Sequence, residues 1–406
     1  MRILIIGGGG REHALAWKLA QSPKVQILAA PGNPGIARVG TCLPADRAQN
    51  LEADLTVVGP EAPLVDGIVD SFRARGLAIV GPNREAAQLE GSKIFAKNFL
   101  TQRQIPTAEF VTVENAGEAR RALDRFGLPV VLKADGLAAG KGVVIAQDRD
   151  EFEAALATLK GRLVIEEFLR GEEVSFIALC DGRDVVPLAP TQDHKAVFDG
   201  DAGPNTGGMG AYCDSAILSE AQTHAILDRI IYPTVEATAF TGFLYAGLMM
   251  TTDGPKVLEF NVRLGDPETQ PLMHRMASDF VPALQAAAHG ELRGVKLEWR
   301  PAPSVCVVLA SGGYPGAFPT GKPITGIEAA EATGATVFQA GTRSGPEGLE
   351  TSGGRVLGVT ARGENLAAAI DGAYRALREI HFDGMHYRRD IGRKGLERYN
   401  GKTVGT

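Results

Sequence analysis

The chain has 406 residues and a formal net charge of −6, with 22% charged and 44% hydrophobic residues; that is enough chain for several domains around large cores. No basic block is present, which argues against nucleic acid as a partner, and no uncharged stretch reaches the ~20 apolar residues of a membrane helix, so no membrane partner is expected. The four cysteines, Cys42, Cys180, Cys213 and Cys306, show no metal spacing and read as reduced thiols of a cytoplasmic protein.

Residues 2–6 read as a buried strand running into four glycines, and 11–20 as a helix stopped by Pro23. Residues 25–30, 55–58 and 78–80 read as further strands, each ending in a glycine-bearing turn. Strands alternating with helices imply a parallel α/β sheet with ligands at the carboxyl ends of the strands. The loop Gly7-Gly8-Gly9-Gly10-Arg11-Glu12-His13 is not a dinucleotide fingerprint. Either register puts Glu12 or His13 at the third glycine position, and no acid ends the second strand to hold a ribose. Free N–H groups at a helix start still suit a phosphate monoester; a purely structural turn is the alternative.

A second unit begins near Gly91-Ser92-Lys93, with 94–100 helical. Residues 129–133 form a strand that carries Lys133 into a glycine-rich loop holding Asp135, Gly136, Gly140, Lys141 and Gly142; 143–145 return as a strand. Lys141 is followed by glycine and no helix comes next, so this is not a Walker loop. It reads either as a lid over phosphates or as an ordinary hairpin. Glu166, Glu167, Phe168 and Leu169, followed by Glu173 across a glycine hinge, could hold an adenine edge and a ribose, or sit on a surface. Asp193, His194 and Lys195 precede a polar, glycine-rich run that includes Asp199, Thr206, Gly207, Gly208 and Met209. A long loop of this kind inside a compact domain is usually functional.

The most informative stretch is 258–270. Alternation on a strand puts Leu258, Phe260, Val262 and Leu264 on one face and Glu259, Asn261 and Arg263 on the other. A carboxylate beside an amide oxygen is half of a hard-cation site, completed by phosphate oxygens and water. The guanidinium could fork onto a carboxylate or phosphate. A merely solvated edge strand has the same alternation, but Gly265-Asp266-Pro267-Glu268 adds two more acids at the same cavity mouth. The last unit has strands at 305–310 and 355–360. A helix through Leu366, Ile370, Ala373, Leu377 and Ile380 is entered near Glu364-Asn365. This unit either caps the fold or walls one side of the site.

In this order, Gly9-Gly10-Arg11-Glu12-His13-Ala14, Pro31-Gly32-Asn33, Glu90-Gly91-Ser92-Lys93, the lysine-bearing loop 133–142, Gln192-Asp193-His194-Lys195, Gly203-Pro204-Asn205-Thr206-Gly207-Gly208-Met209-Gly210 and Arg263-Leu264-Gly265-Asp266-Pro267-Glu268 resemble the ATP-grasp carboxylate–amine ligases. More narrowly they resemble the glycinamide ribonucleotide synthetase family. Gly8 stands where that family often has Ser, and Gly392-Arg393-Lys394 is an unusual ending. The resemblance implies an α/β ATP-grasp fold with an N-terminal parallel domain (1–101), an ATP-grasp domain (102–295, lid about 112–175), a small C-terminal domain (296–392) and a tail (393–406). It implies that ATP phosphorylates glycine and that the amine of 5-phosphoribosylamine attacks the acyl phosphate. Lys93, Lys133 and the loop holding Asp135, Gly136, Gly140, Lys141 and Gly142 would contact ATP phosphates, Glu166 to Leu169 adenine, and Glu173 ribose. Glu259 and Asn261 would bind Mg²⁺ (or Mn²⁺), and Arg263, Lys133 and Lys195 would act in catalysis. Gly8, Gly9 and Gly10 would hold the 5-phosphate; Lys195, Asp199, Thr206, Gly207, Gly208 and Met209 would line the amine and glycine side, and Asn33, Asp193 and His194 would also bind substrate. The preceding strand carries Ala246-Gly247-Leu248, so no second tightly held metal is expected. A cytoplasmic monomer or weak dimer is expected. A sister ligase activating bicarbonate or formate, and a non-catalytic nucleotide-binding module, are the competing readings.

Overall fold

The apolar run Ile3-Leu4-Ile5 is fully buried, as a strand covered on both faces must be. It lies in a five-stranded parallel sheet ordered Gly40–Cys42, Gln26–Pro31, Arg2–Gly7, Leu55–Val58, Ile79–Val80. The structure, a computed structural model, describes residues 1–137, 142–346 and 348–399. Helix Gly10–Leu19 follows the first strand and is buried along most of its length, because it packs on helix Thr269–Arg275 as well as on its own sheet. Even Lys18 is buried there, donating from Nζ to the Met276 carbonyl at 2.9 Å. The N-terminal sheet is therefore locked to the rest of the chain by a helix with no solvent face.

A four-stranded antiparallel sheet runs in the order Phe110–Val113, Leu163–Glu167, Val130–Ala134, Val143–Ala146. Helices Ala116–Phe126 and Arg149–Thr158 start at Asn115 and Asp148, whose side chains accept the N–H groups of Glu118 and Glu151. Val130, Leu132, Phe152 and Ile165 form a core of their own beneath them, so this unit is joined to the remainder through few apolar contacts.

The third sheet is ordered Gly254–Asn261, Thr241–Thr251, Glu172–Asp181, Thr191–Asp193, Gly210–Cys213, Ser304–Ala310, Arg355–Arg362, Thr336–Gln339, with Val185–Pro187 paired to the side. The C-terminal strands thus extend the sheet that carries the polar strand face. Helix Leu366–Leu377 covers them, with Asn365 Oδ1 accepting the Ala368 N–H at 2.9 Å at its start. The strand expected over 258–264 ends at Asn261, and it carries a bulge: Glu259 faces Gly247 while Val257 faces Leu248, leaving Leu258 unpaired. The extra residue resets the alternation. Val257, Phe260 and Val262 are buried, and Leu258 sits half-buried at a cavity wall. No helix among the described residues is long and apolar enough to cross a membrane.

Candidate active site

A cavity of about 510 Å³ lies where the three sheets approach one another. One half is an apolar slot walled by Leu89, Ala96, Leu100, Val143 and Leu258. The other half is a charged floor built on strand Gly254–Asn261 and the turn after it. The carboxyl end of Leu55–Val58 reaches the same cavity through Pro60 and Glu61, as the strand-end rule for parallel sheets requires.

On the floor, Lys195 Nζ stands 3.5 Å from Glu259 Oε1 and 3.6 Å from Glu173 Oε2. Burial opposes the charge of Glu259, but Lys195, Lys133 and Arg263 outweigh it and hold the carboxyl at about 2. Asp193 fares differently: burial pushes its carboxyl up to about 7, with Lys195 opposing and Glu268, Glu173 and Glu259 adding to the rise. Arg263, just past the strand, bonds from Nη2 to Asn261 Oδ1 at 3.0 Å and to Glu90 Oε1 at 2.9 Å, with Glu61 at 3.4 Å. Its guanidinium is thereby aimed across the floor. Glu268 is 3% exposed, and its Oε1 accepts from Tyr245 at 2.8 Å and Ser175 at 3.1 Å. Arg355 closes the far side, donating to the Asp266 carbonyl at 2.5 Å and the Gly207 carbonyl at 2.6 Å.

Lys93 Nζ donates to the Gly136 carbonyl at 2.8 Å, tying helix Lys93–Gln102 to the end of the glycine-rich loop that is described. Lys133 Nζ donates to the Leu258 carbonyl at 2.9 Å and pairs with Glu166. Of the residues singled out from sequence, Lys93, Lys133, Gly136, Gly142, Asp193, Lys195, Thr206, Gly207, Glu259, Asn261 and Arg263 line this one cavity. Gly140 and Lys141 lie outside the described residues.

The others do not line it, and their side chains have partners of their own. Glu166 is 2% exposed and its carboxylate is spent on Lys97 and Lys133. Asp135 accepts from Ser92 Oγ at 2.8 Å and the Ile94 N–H at 3.2 Å, which makes it a brace between hairpin and helix. Glu167 accepts from the Glu109 N–H, Phe168 lies under Arg170, and Leu169 packs with Ala108 and Met249. Glu173 meets the cavity only through Lys195. Gly8 and Gly9 stand beside the cavity rather than in it. The Gly9 N–H is already bonded to Glu12 Oε2 at 2.5 Å, and a side chain on Gly10 would meet Gln270. Asn33 is consumed by the Gly8 and Gln339 carbonyls, both at 2.8 Å, so it ties the N-terminal loop to the C-terminal unit. Alternation turns His194 away from Asp193 and Lys195. It lines a second cavity of about 480 Å³ with Asp199, Arg389 and Lys394. Gly208 fits against Pro267, where a Cβ would stand 2.4 Å away, and Met209 is fully buried.

Sequence reasoning does not single out Glu61, Lys97, Tyr245, Tyr314 or Arg355, all of which line the cavity, and it mentions Arg11 and Glu90 only inside motifs. Lys97 had a signal: it lies one helical turn beyond Lys93 and so on the same face. Arg355 had none, since it comes from a strand far along the chain.

A divalent metal, which the family resemblance implies, fits Glu259 and Asn261. The carboxyl is held ionised, and Asn261 Oδ1 keeps a lone pair beyond its bond to Arg263. Among the described residues no group of three or more His, Cys, Asp or Glu could hold a metal unaided. Phosphate oxygens and water would have to complete the shell, the arrangement Mg²⁺ favours.

Comparison with known proteins agrees in every part of the chain. Residues 1–90 match the phosphoribosylglycinamide synthetase N domain, 91–269 its ATP-grasp (A) domain and 304–394 its C domain. The phosphoribosylamine–glycine ligase of Pseudomonas aeruginosa is 49% identical, with 99% of this chain and 100% of that one aligned. That of Escherichia coli K12 is 50% identical, over 98% and 99%. The solved phosphoribosylamine–glycine ligase of Thermotoga maritima superposes with a TM-score of 0.85 at 37% identity, covering 96% of this chain and 100% of that one. The biotin carboxylase domain of Hydrogenobacter thermophilus 2-oxoglutarate carboxylase, solved with MgADP, ADP and bicarbonate, has a TM-score of 0.70. It covers 95% of this chain and 91% of that one at 16% identity, a likeness of fold alone.

Proposed function

The chain belongs to the phosphoribosylglycinamide synthetase family, and from that membership we infer that it is the ATP-dependent ligase of purine biosynthesis that joins glycine to 5-phosphoribosylamine. The observation that carries the reading to this site is the apolar slot opening directly onto the charged floor. In this reading a purine takes the first half and a triphosphate the second.

In this reading ATP phosphorylates the glycine carboxylate, giving glycyl phosphate and ADP, and the amine of phosphoribosylamine then displaces phosphate. Transfer between two anions needs fixed positive charge where charge accumulates. Lys93 and Lys133 hold the phosphates, and Lys195 and Arg263 steady the carboxylate as it becomes an acyl phosphate. Glu259 and Asn261 would hold Mg²⁺, or Mn²⁺ in its place, which would neutralise phosphate charge. An acyl phosphate is lost if water reaches it; the segment 135–142 expected from sequence to close over it lies in part, at 138–141, outside the described residues. Thr206 and Gly207 border the glycine side. The Gly9 amide is taken by Glu12, and beside that loop the cavity wall carries Arg11, paired with Glu12, and Arg355, paired with Asp266, as cations that could face the 5-phosphate. The domain division expected from sequence is retained as the division of labour, in a cytoplasmic enzyme acting as a monomer or weak dimer.

The test is ADP release with glycine and freshly prepared phosphoribosylamine, omitting each in turn and replacing glycine by bicarbonate or formate. ADP release that requires glycine and the amine supports the reading. Release with bicarbonate or formate but not glycine makes the chain a sister ligase, and nucleotide binding without turnover makes it a binding module.

A further inference from the structure

Glu166 lies 2% exposed between two ammonium groups, those of Lys97 and Lys133. Lys133 continues to the carbonyl of Leu258. Lys97 donates at 2.7 Å to Thr107 Oγ1, which in turn donates at 2.7 Å to the carbonyl of Val257. The two lysines therefore terminate on consecutive carbonyls at the bulge immediately before Glu259. Both also line the central cavity, Lys97 among Ala96, Leu100 and Leu258 of the apolar slot.

We propose that Lys97 is a further nucleotide-contacting residue, and that Glu166 is a positioning residue that holds Lys97 and Lys133 together for the purine and phosphate ends of one nucleotide. The proposal rests on the ATP reading above and adds a residue and a role to it.

Both hydrogen-bonding capacity and charge point to this role. An ammonium has three N–H groups. Thr107 and Glu166 take two of those on Lys97, leaving one for an acceptor in the slot, and purine ring nitrogens are such acceptors. Second, two ammonium groups share one buried carboxylate, with Glu259 and Glu167 acting on them only from further off, so a nearly dry wall favours an added anion. Uncompensated buried charge is costly, and a polyphosphate relieves it. Burial pulls the Lys97 ammonium down to about 8 despite Glu166, which agrees with a lysine kept at this wall against its own desolvation. A latch between the lid sheet and the floor strand would need the same ion pairs but would leave ADP affinity unchanged when Lys97 is removed.

The experiment is calorimetric titration of MgADP into wild type, Lys97→Met, Glu166→Gln and the double variant, with melting temperatures alongside. Lys97→Met should weaken ADP about tenfold, as loss of one charged hydrogen bond does. It should raise the KM for ATP by a similar factor and leave kcat within about threefold. The double variant should be less impaired than the product of the singles, because both act through one carboxylate. Wild-type ADP affinity in folded Lys97→Met, with only the melting temperature lowered, would overturn the contact; additive losses would overturn the shared positioning. If Glu166→Gln fails to fold, ADP affinity of Lys97→Met, Thr107→Val and their double variant decides: a double variant no weaker than Lys97→Met supports the network, and additive losses overturn it. Wild type that does not bind MgADP would instead defeat the ATP reading itself.

Discussion

Two cavities of nearly equal size, about 510 and 480 Å³, lie on opposite sides of the same short segment. Asp193 and Lys195 face the central one and His194 the outer one. Both are rich in charge. The outer cavity, however, is walled only by His194, a glycine and charged side chains, and Arg388 and Lys394 are matched there by Asp201 and Asp390. The central cavity places an apolar slot against cations delivered by separate stretches of chain. Charge density alone therefore does not mark a site. Apolar surface next to convergent charge does, because only that combination fits an amphipathic ligand.

The comparison breaks most sharply at the central floor. Lys133→Met and Glu259→Gln should each lower kcat by about 10²–10³-fold, the usual cost of losing a group that stabilises transition-state charge. Glycine-dependent ADP formation left intact in Lys133→Met would remove that residue from the mechanism.

A smaller effect separates the site from its frame. His13 is pulled to about 4 by burial and then by Arg38, and its Nδ1 accepts the Gln339 N–H at 2.8 Å across the seam between N- and C-terminal units. His274, near Trp17 and Ser304, is pushed by burial to about 3. In the unfolded chain both titrate near 6.5. Between 6.5 and their folded values the unfolded chain binds more protons, so stability falls as pH drops through that window. For His13 the loss by pH 4 is on the order of 3 kcal/mol, at about 1.4 per unit. Melting temperatures between pH 7 and 4.5 should show the decline, and His13→Gln should flatten part of it; an unchanged slope would place the acid sensitivity elsewhere. The smallest effect belongs to the outer cavity. Arg389→Ala should leave kcat within about twofold, as surface changes usually do, whereas a tenfold loss would make that cavity part of the chemistry.

The parallel N-terminal sheet and the capped helix after Asn365 were legible because their apolar periodicity is local. The floor was legible too, since Glu259, Asn261 and Arg263 announce themselves within five residues. The bulge at Leu258 was not, because an extra residue in a strand is visible only against its partner. Asn33, Gly9 and His194 do not line the central cavity, for a related reason. Their neighbours in sequence are site residues, but their hydrogen bonds go to Gln339, Glu12 and the backbone of Gly392. Arg355 reaches the cavity only because the C-terminal strands extend the central sheet, a pairing no local pattern encodes.

The central claim is tested most directly by a crystal structure with Mg²⁺ and a non-hydrolysable ATP analogue. The purine should lie in the slot beside Lys97, with the β- and γ-phosphates between Lys93, Lys133 and a metal held by Glu259 and Asn261. A nucleotide found in the outer cavity, or Glu259 and Asn261 turned away from the phosphates, would contradict it.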